Sequence, residues 1–153
     1  MVTVTSKTIT RSLLHFLMAA LVAMPVIAGE KMANPGPDKV AIKGYDTVAY
    51  FTEGQPTKGD PEFVFAWNDA KWQFASATHR DMFASNPERY APQFSGHCSM
   101  ALSRGMEVAA DPEIWTIVDG KLYLFSKGGR DEFQRNAHEN IKKAEANWGR
   151  AQK

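Results

Sequence analysis

The single cysteine of this chain, Cys98, lies among other side chains that bind soft metal ions. His97 precedes it, Met100 and Met106 follow it closely, and His79 lies in the helix predicted before it. A thiolate, an imidazole and thioethers suit Cu(I), and the first two also suit Zn(II). The sequence therefore predicts a copper site, with zinc as the alternative, whose ligands are Cys98 with His97 or His79.

Two other roles of Cys98 remain open. Cysteine is often buried, so Cys98 can pack in the core while His97 is exposed at a helix start. A cysteine in the first turn of a helix can also be a reactive thiolate.

Neighbouring helical residues point about 100° apart, so His97 and Cys98 can share an ion only if the helix begins there. The spacing contains no C-x-x-C or H-x-x-x-H pair.

Residues 1–28 have the order of a secretory signal peptide. Lys7 and Arg11 precede an apolar run that ends in small residues at Ala28. The run is shorter than the ~20 residues that cross a bilayer as a helix. We expect cleavage after Ala28, a periplasmic or secreted protein, and no stable membrane span after cleavage; an uncleaved anchor is the alternative.

The charge balance excludes nucleic acid as a partner. Removal of residues 1–28 takes away two of the 18 basic residues and none of the 17 acidic ones, which leaves a formal charge of −1. One cysteine allows no disulfide within the chain. In an oxidising compartment its thiol is buried, bound to a metal ion or paired with another molecule, and a homodimer is one such pairing.

Hydrophobic patterns predict two β-hairpins. Alternating aromatic residues in 62–67 and 71–76 predict the first hairpin. Residues 113–118 and 121–125, joined by Asp-Gly, predict the second. Residues 46–51 are rich in β-branched and aromatic side chains and predict a further strand. The sequence shows no internal repeat.

Helices are predicted around and after the hairpins. Ser76 is placed to cap a helix that ends at Asn86-Pro87. A short helix begins near Gly96 or His97 and ends at Gly105. One long amphipathic helix follows the second hairpin to the end of the chain, and its apolar face consists of Phe133, Ala137, Ile141, Ala144 and Trp148. These elements predict a small single α+β domain with one core, in which antiparallel hairpins pack with short helices and the long C-terminal helix.

Several motifs occur in a fixed order along residues 42–149. They are "GYDTVAYF" (44–51), "WQFASATHRDMFASNPERYAPQFSGHCSMA" (72–101) and "DPEIWTIVDGKLYLF" (111–125). In this order they resemble the YHS domain family of exported bacterial proteins. The resemblance implies a small α+β domain suspected of binding a metal ion, without an established reaction. The matching positions are Gly44, Tyr45, Asp46, Val48, Ala49, Tyr50, Phe51, Phe74, Ser76, Pro87, Tyr90, Pro92, Gly96, Cys98, Leu122, Tyr123 and Leu124.

The chain departs from the family pattern at two positions. His97 stands where an aromatic residue is common, and His79 stands where Asn is frequent. Each departure adds a candidate metal ligand. Asp46 could orient a histidine, although an aspartate in a turn commonly accepts hydrogen bonds from backbone amides.

These observations give an expected organisation and function. We expect a signal peptide (1–28), a flexible linker (29–41), a YHS-like domain (42–149) and a short tail (150–153). The leading hypothesis is a domain that binds a soft metal ion, in a handling or sensing role. The alternative is a non-catalytic structural or protein-interaction module with a buried or dimer-forming cysteine. An enzyme ranks third, because no base and oxyanion hole accompany the thiol.

Overall fold

The α+β fold expected from the sequence is confirmed. The computed structural model describes residues 39–153, so the expected signal peptide and most of the expected linker lie outside the described residues. In this part of the chain, no helix is long and apolar enough to cross a bilayer. The elements are α1 (Ala49–Thr52), β1 (Asp60–Trp67), β2 (Ala70–Phe74), α2 (Ala77–Ser85), α3 (Pro87–Tyr90), α4 (Ser99–Ser103), β3 (Asp111–Val118), β4 (Lys121–Phe125), α5 (Gly129–Arg135) and α6 (Ala137–Ala151).

The described domain extends slightly beyond the expected boundaries at both ends. Val40 forms a bridge to Lys71 and Ala41 is buried, so the last residues of the expected linker pack on the domain. At the other end, α6 continues to Ala151, into the expected tail.

Both predicted hairpins are present. β1 pairs with β2 and β3 pairs with β4, both antiparallel. Two residues at positive φ join each pair of strands, namely Asn68-Asp69 (52° and 57°) and Asp119-Gly120 (50° and 72°). Turns with two central residues at positive φ match the right-handed twist of the strands, which explains why these short connections form hairpins.

The two hairpins belong to a duplicated unit, so the expectation of no internal repeat is wrong. Each unit contains a tight turn, a short helix, a hairpin and a closing helix, and the units span residues 41–85 and 93–135. Both hairpins begin with Asp-Pro-Glu, at 60–62 and 111–113, and this is the sequence signal that could have revealed the repeat.

The duplication extends to strand register. Asp60 pairs with Phe74 as Asp111 pairs with Phe125, and a bulge follows at the same place in both hairpins. In each long strand the first aspartate accepts a hydrogen bond from the backbone N–H two residues later, at 2.8 Å in β1 and 3.0 Å in β3. The two halves therefore share backbone geometry although their side chains differ.

Backbone hydrogen bonds place Asp46 and Cys98 at equivalent positions in the two units. Asp46 N donates to Thr57 O at 2.9 Å, and Cys98 N donates to Val108 O at 2.7 Å. Each residue lies between the tight turn and the short helix of its unit. One side chain in each half is thus fixed at the same point of the scaffold.

The predicted strand over residues 46–51 is wrong, because this segment turns into helix α1. The Asp46 carboxylate accepts hydrogen bonds from Val48 N at 2.9 Å and Ala49 N at 3.3 Å. These bonds satisfy N–H groups that a helix start leaves without intrahelical partners. The local cap outweighs the β propensity of the neighbouring side chains.

The predicted long C-terminal helix is two helices, α5 and α6, with a break at Asn136. Asn136 has φ −139° and ψ 56°, outside the helical region, and its carbonyl accepts from Asn140 N at 3.0 Å. The Asn140 side chain also donates to Phe133 O at 3.0 Å, which satisfies a carbonyl at the end of α5. These hydrogen bonds satisfy the polar backbone groups at the break, so α6 can run in a different direction from α5.

The single expected core is divided into two clusters that meet at β4. Leu122 and Leu124 belong to the first cluster, while Tyr123 and Phe125 belong to the second. Successive strand side chains point to opposite faces, so one strand contributes to both clusters. All four side chains are at most 1% exposed.

Phe83 and Phe133 should contribute similarly to stability, because each is fully buried against the hairpin of its own unit. Their rings lie 5.0 Å from those of Phe74 and Phe125, respectively. We expect Phe83→Ala and Phe133→Ala each to lower the free energy of unfolding by about 3–5 kcal/mol in urea titrations. The control Met106→Ala, at an exposed position, should change it by less than about 0.5 kcal/mol. A loss below 1 kcal/mol at either phenylalanine, on the order of a surface change, would contradict the duplicated core.

Candidate functional site

Cys98 is buried at the start of α4, with 1% of its surface exposed. Its Sγ accepts a hydrogen bond from Ser126 Oγ at 3.3 Å. Gly129, the first residue of α5, also approaches the sulfur: a Cβ at this glycine would lie 3.4 Å from Sγ. The thiol therefore lies between α4 and the segment that links β4 to α5.

A depression of about 300 Å³ opens beside the thiol. Two methionines line it together with Cys98: Met100, which is nearly buried, and Met106, which is 49% exposed. An ion pair between Arg104 and Glu132 joins α4 to α5 at the same depression. We call this depression the Cys98 pocket.

His97 makes its contacts away from the thiol. Its Nδ1 donates to Phe94 O at 2.9 Å, and its ring lies 5.1 Å from that of Trp148 on α6. His97 and Cys98 are both extended, so α4 begins later than predicted and the two side chains point to opposite sides of the chain. His97 is 6% exposed, so the expectation of an exposed histidine at the helix start is wrong.

His79 lies in the first unit, beside Asp46. Its Nδ1 is 2.6 Å from Asp46 Oδ2, and its Nε2 is 3.2 Å from Thr52 Oγ1. Asp46 is fully buried and also accepts from Ala75 N at 2.9 Å. Asp46 therefore has both of the roles considered from the sequence, because it accepts from backbone amides and orients a histidine.

Within residues 39–153, no three His, Cys, Asp or Glu side chains form a group that could hold a metal ion. The candidate set Cys98, His97 and His79 is therefore not brought together as three ligands. The thioethers of Met100 and Met106, which the sequence also placed near Cys98, do share its pocket.

Asp46 and Cys98 occupy equivalent positions in the two units, but different groups lie over their side chains. In the first unit, His79 is the third residue of α2 and lies on the Asp46 carboxylate. In the second unit, Phe133 corresponds to Phe83, so Gly129 stands four residues before it at the position of His79. Gly129 adds no side chain over the sulfur. The closing helix of the second unit, α5, therefore leaves the Cys98 pocket uncovered.

Three tyrosines of the domain, Tyr45, Tyr50 and Tyr123, are poor acid–base groups. A hydrogen bond from its hydroxyl to Glu113, together with burial, raises the pKa of Tyr45 to about 12. Burial raises the pKa of Tyr123 to about 12 and that of Tyr50 still further above its usual value. All three phenols remain protonated at neutral pH.

Comparison of this chain with protein-family models, with curated proteins and with solved structures finds no match.

Asp46→Asn should destabilise the first unit, because an amide cannot accept hydrogen bonds at both of its terminal atoms. Ala75 N and His79 Nδ1 both contact Oδ2, so an amide nitrogen at that position removes the acceptor of both groups. We expect the free energy of unfolding to fall by about 3 kcal/mol in urea titrations at neutral pH.

The matched control is Glu113→Gln, which alters an exposed carboxylate that accepts from Tyr45. This change should lower the free energy of unfolding by less than about 1 kcal/mol. An equal loss in the free energy of unfolding for the two substitutions would contradict the role of Asp46 in holding the first unit together.

Proposed function

We propose that this chain is an exported YHS-like domain that binds Cu(I) through the Cys98 thiolate with the Met100 and Met106 thioethers, in a handling or sensing role. The observation that carries the proposal is that these three sulfur-containing side chains line one pocket. The resemblance to the YHS family and the signal-like residues 1–28 support the same function and compartment.

The chemistry of these side chains favours copper over zinc. Thiolate and thioether sulfur are soft ligands that select Cu(I), whereas structural zinc sites draw on thiolate, imidazole and carboxylate groups. His97 and His79 have other partners. In the Cys98 pocket zinc would find the thiolate and the Glu132 carboxylate, which is already paired with Arg104, whereas Cu(I) would find three sulfur ligands.

The glycine beside the sulfur supports a ligand at this position. The first unit covers its central carboxylate with the His79 ring, but the second unit places Gly129 next to the thiol. A site for an ion needs free space beside the ligand atom, and Gly129 leaves that space. Burial of the remaining thiol surface keeps water away from the sulfur.

Replacing the sulfur ligands should weaken Cu(I) binding. The reduced protein is titrated anaerobically with Cu(I) against a colorimetric chelator. We expect Cys98→Ala to abolish binding, and Met100→Leu and Met106→Leu to weaken it by more than about tenfold, the lower end of the effect of outer-shell changes. Leucine keeps the apolar volume and removes only the sulfur.

The matched control is Met82→Leu, at a methionine that packs against the first cluster. This substitution should leave the Cu(I) affinity unchanged, as should His97→Gln. An affinity of Cys98→Ala equal to that of the parent would refute the proposal. A loss in His97→Gln as large as that in Met106→Leu would return His97 to the ligand set.

Gly129→Ala should reduce metal affinity by closing the pocket. The added Cβ would lie 3.3 Å from Met100 Cβ and 3.4 Å from Cys98 Sγ. A gain in helix propensity of up to about 1 kcal/mol offsets the crowding, so the fold should be retained. Gly149→Ala in α6 is the control, because nothing lies within 4 Å of its Cβ. We expect weaker Cu(I) binding in the first variant only, measured with the same chelator; equal affinities would argue against a ligand beside Gly129.

A second candidate function is a protein-interaction module. Met106 and Val108 are the large hydrophobic residues exposed in the described part of the chain, at 49% and 42%, and both line the Cys98 pocket. A partner that covers them would also cover the thiol. Met106→Leu separates the two functions, because it removes a metal ligand and keeps the apolar surface.

A further inference from the structure

The imidazole of His79 has a fixed direction. Its Nδ1 lies 2.6 Å from Asp46 Oδ2, and Asp46 is a fully buried acceptor that also receives three backbone N–H groups. Nδ1 therefore carries a hydrogen and donates it to the carboxylate. In the neutral ring this leaves a lone pair on Nε2, the usual arrangement of a histidine that binds a metal ion.

Nε2 contacts the Thr52 hydroxyl. Thr52 Oγ1 lies 3.2 Å from Nε2 and 3.2 Å from Val48 O, which already accepts from the backbone N–H groups of Phe51 and Thr52. The hydroxyl hydrogen can turn to either acceptor, and when it points to Val48 O a lone pair of Oγ1 is available to a cation that Nε2 also binds. The Glu53 carboxylate, 3.9 Å from Nε2 at Oε1, supplies negative charge at the same place.

The distances suit one small divalent cation. Zinc bonds to nitrogen and oxygen of about 2.0–2.2 Å in a tetrahedron hold the ligand atoms roughly 3.3–3.5 Å apart. The separations from Nε2 to Thr52 Oγ1 and Glu53 Oε1 are 3.2 and 3.9 Å, on either side of that range. The Glu53 side chain is 38% exposed, so it can rotate to shorten the longer distance.

We propose that His79 Nε2, Thr52 Oγ1 and the Glu53 carboxylate form a site for a divalent cation of the Zn²⁺ class, with water as the remaining ligand. Asp46 acts as the outer-shell partner that orients the imidazole. This site lies in the first unit, and its nitrogen and oxygen ligands differ from the sulfur ligands of the Cys98 pocket. The two sites can therefore be tested separately.

The experiment uses Zn²⁺ and the full chain with Cys98→Ala, so that the thiol cannot bind the ion. Affinity is measured by competition with a chromogenic chelator. We expect His79→Gln to weaken binding by more than about tenfold and Glu53→Gln to weaken it less, because a neutral amide oxygen remains. Glu53→Gln leaves the contact between His79 and Asp46 intact, so it tests the site even if His79→Gln unfolds.

The matched control is His138→Gln. His138 also pairs with a carboxylate, Asp119 at 3.6 Å, but both side chains are highly exposed and no buried acceptor orients the ring. Its replacement should leave the Zn²⁺ affinity unchanged. In the Cys98→Ala protein, Zn²⁺ should also shift the NMR resonance of the His79 Hε1 proton and leave that of His138 in place.

Two outcomes would overturn the proposal. One is equal Zn²⁺ affinity in His79→Gln and His138→Gln. The other is an unmoved His79 resonance at saturating Zn²⁺, which would mean that Nε2 keeps its contact with the Thr52 hydroxyl and binds no ion.

Discussion

Each half of the domain depends on a turn in which three consecutive residues are held at positive φ. The first turn contains Ile42, Lys43 and Gly44, and the second contains residues 94–96. This conformation raises the free energy of a residue other than glycine by roughly 1–3 kcal/mol, and a β-branched residue such as Ile42 rarely adopts it. Burial and a hydrogen bond across each turn hold the chain there. The strained turn directs the next two residues toward the short helix and so positions Asp46 and Cys98.

The duplicated scaffold gives the same position two different kinds of chemistry. A carboxylate at this point accepts backbone N–H groups and an imidazole, so Asp46 is fully used in joining α1, α2 and β2. A thiol is a weak acceptor, and Ser126 Oγ is the donor described for the Cys98 Sγ atom. The first half therefore uses its central group for stability, whereas the central group of the second half makes few polar contacts and borders the Cys98 pocket.

Local patterns in the sequence predicted the elements whose side chains alternate or whose ends are capped. The hairpins and the N-cap at Ser76 followed from such patterns, and all are present. The path of residues 46–51 also has a local cause, the bonds from Val48 N and Ala49 N to Asp46, but the β propensity of the segment obscured it. The break at Asn136 is closed by the Asn140 side chain, which donates to Phe133 O, and helical periodicity does not report such a bond.

The candidate site also shows what local patterns in the sequence cannot predict. Cys98, Met100 and Met106 are near one another in sequence, and a short helix and its following loop bring them to one pocket. Sequence proximity did not anticipate the direction of His97, since one residue of extended chain is enough to point neighbouring side chains to opposite sides. His79 approaches its partner from a different helix through the duplicated fold, and the first half thereby gains an oriented imidazole beside a carboxylate. Side-chain direction, which depends on backbone conformation, thus separates the candidate nitrogen ligands from the candidate sulfur ligands in this domain.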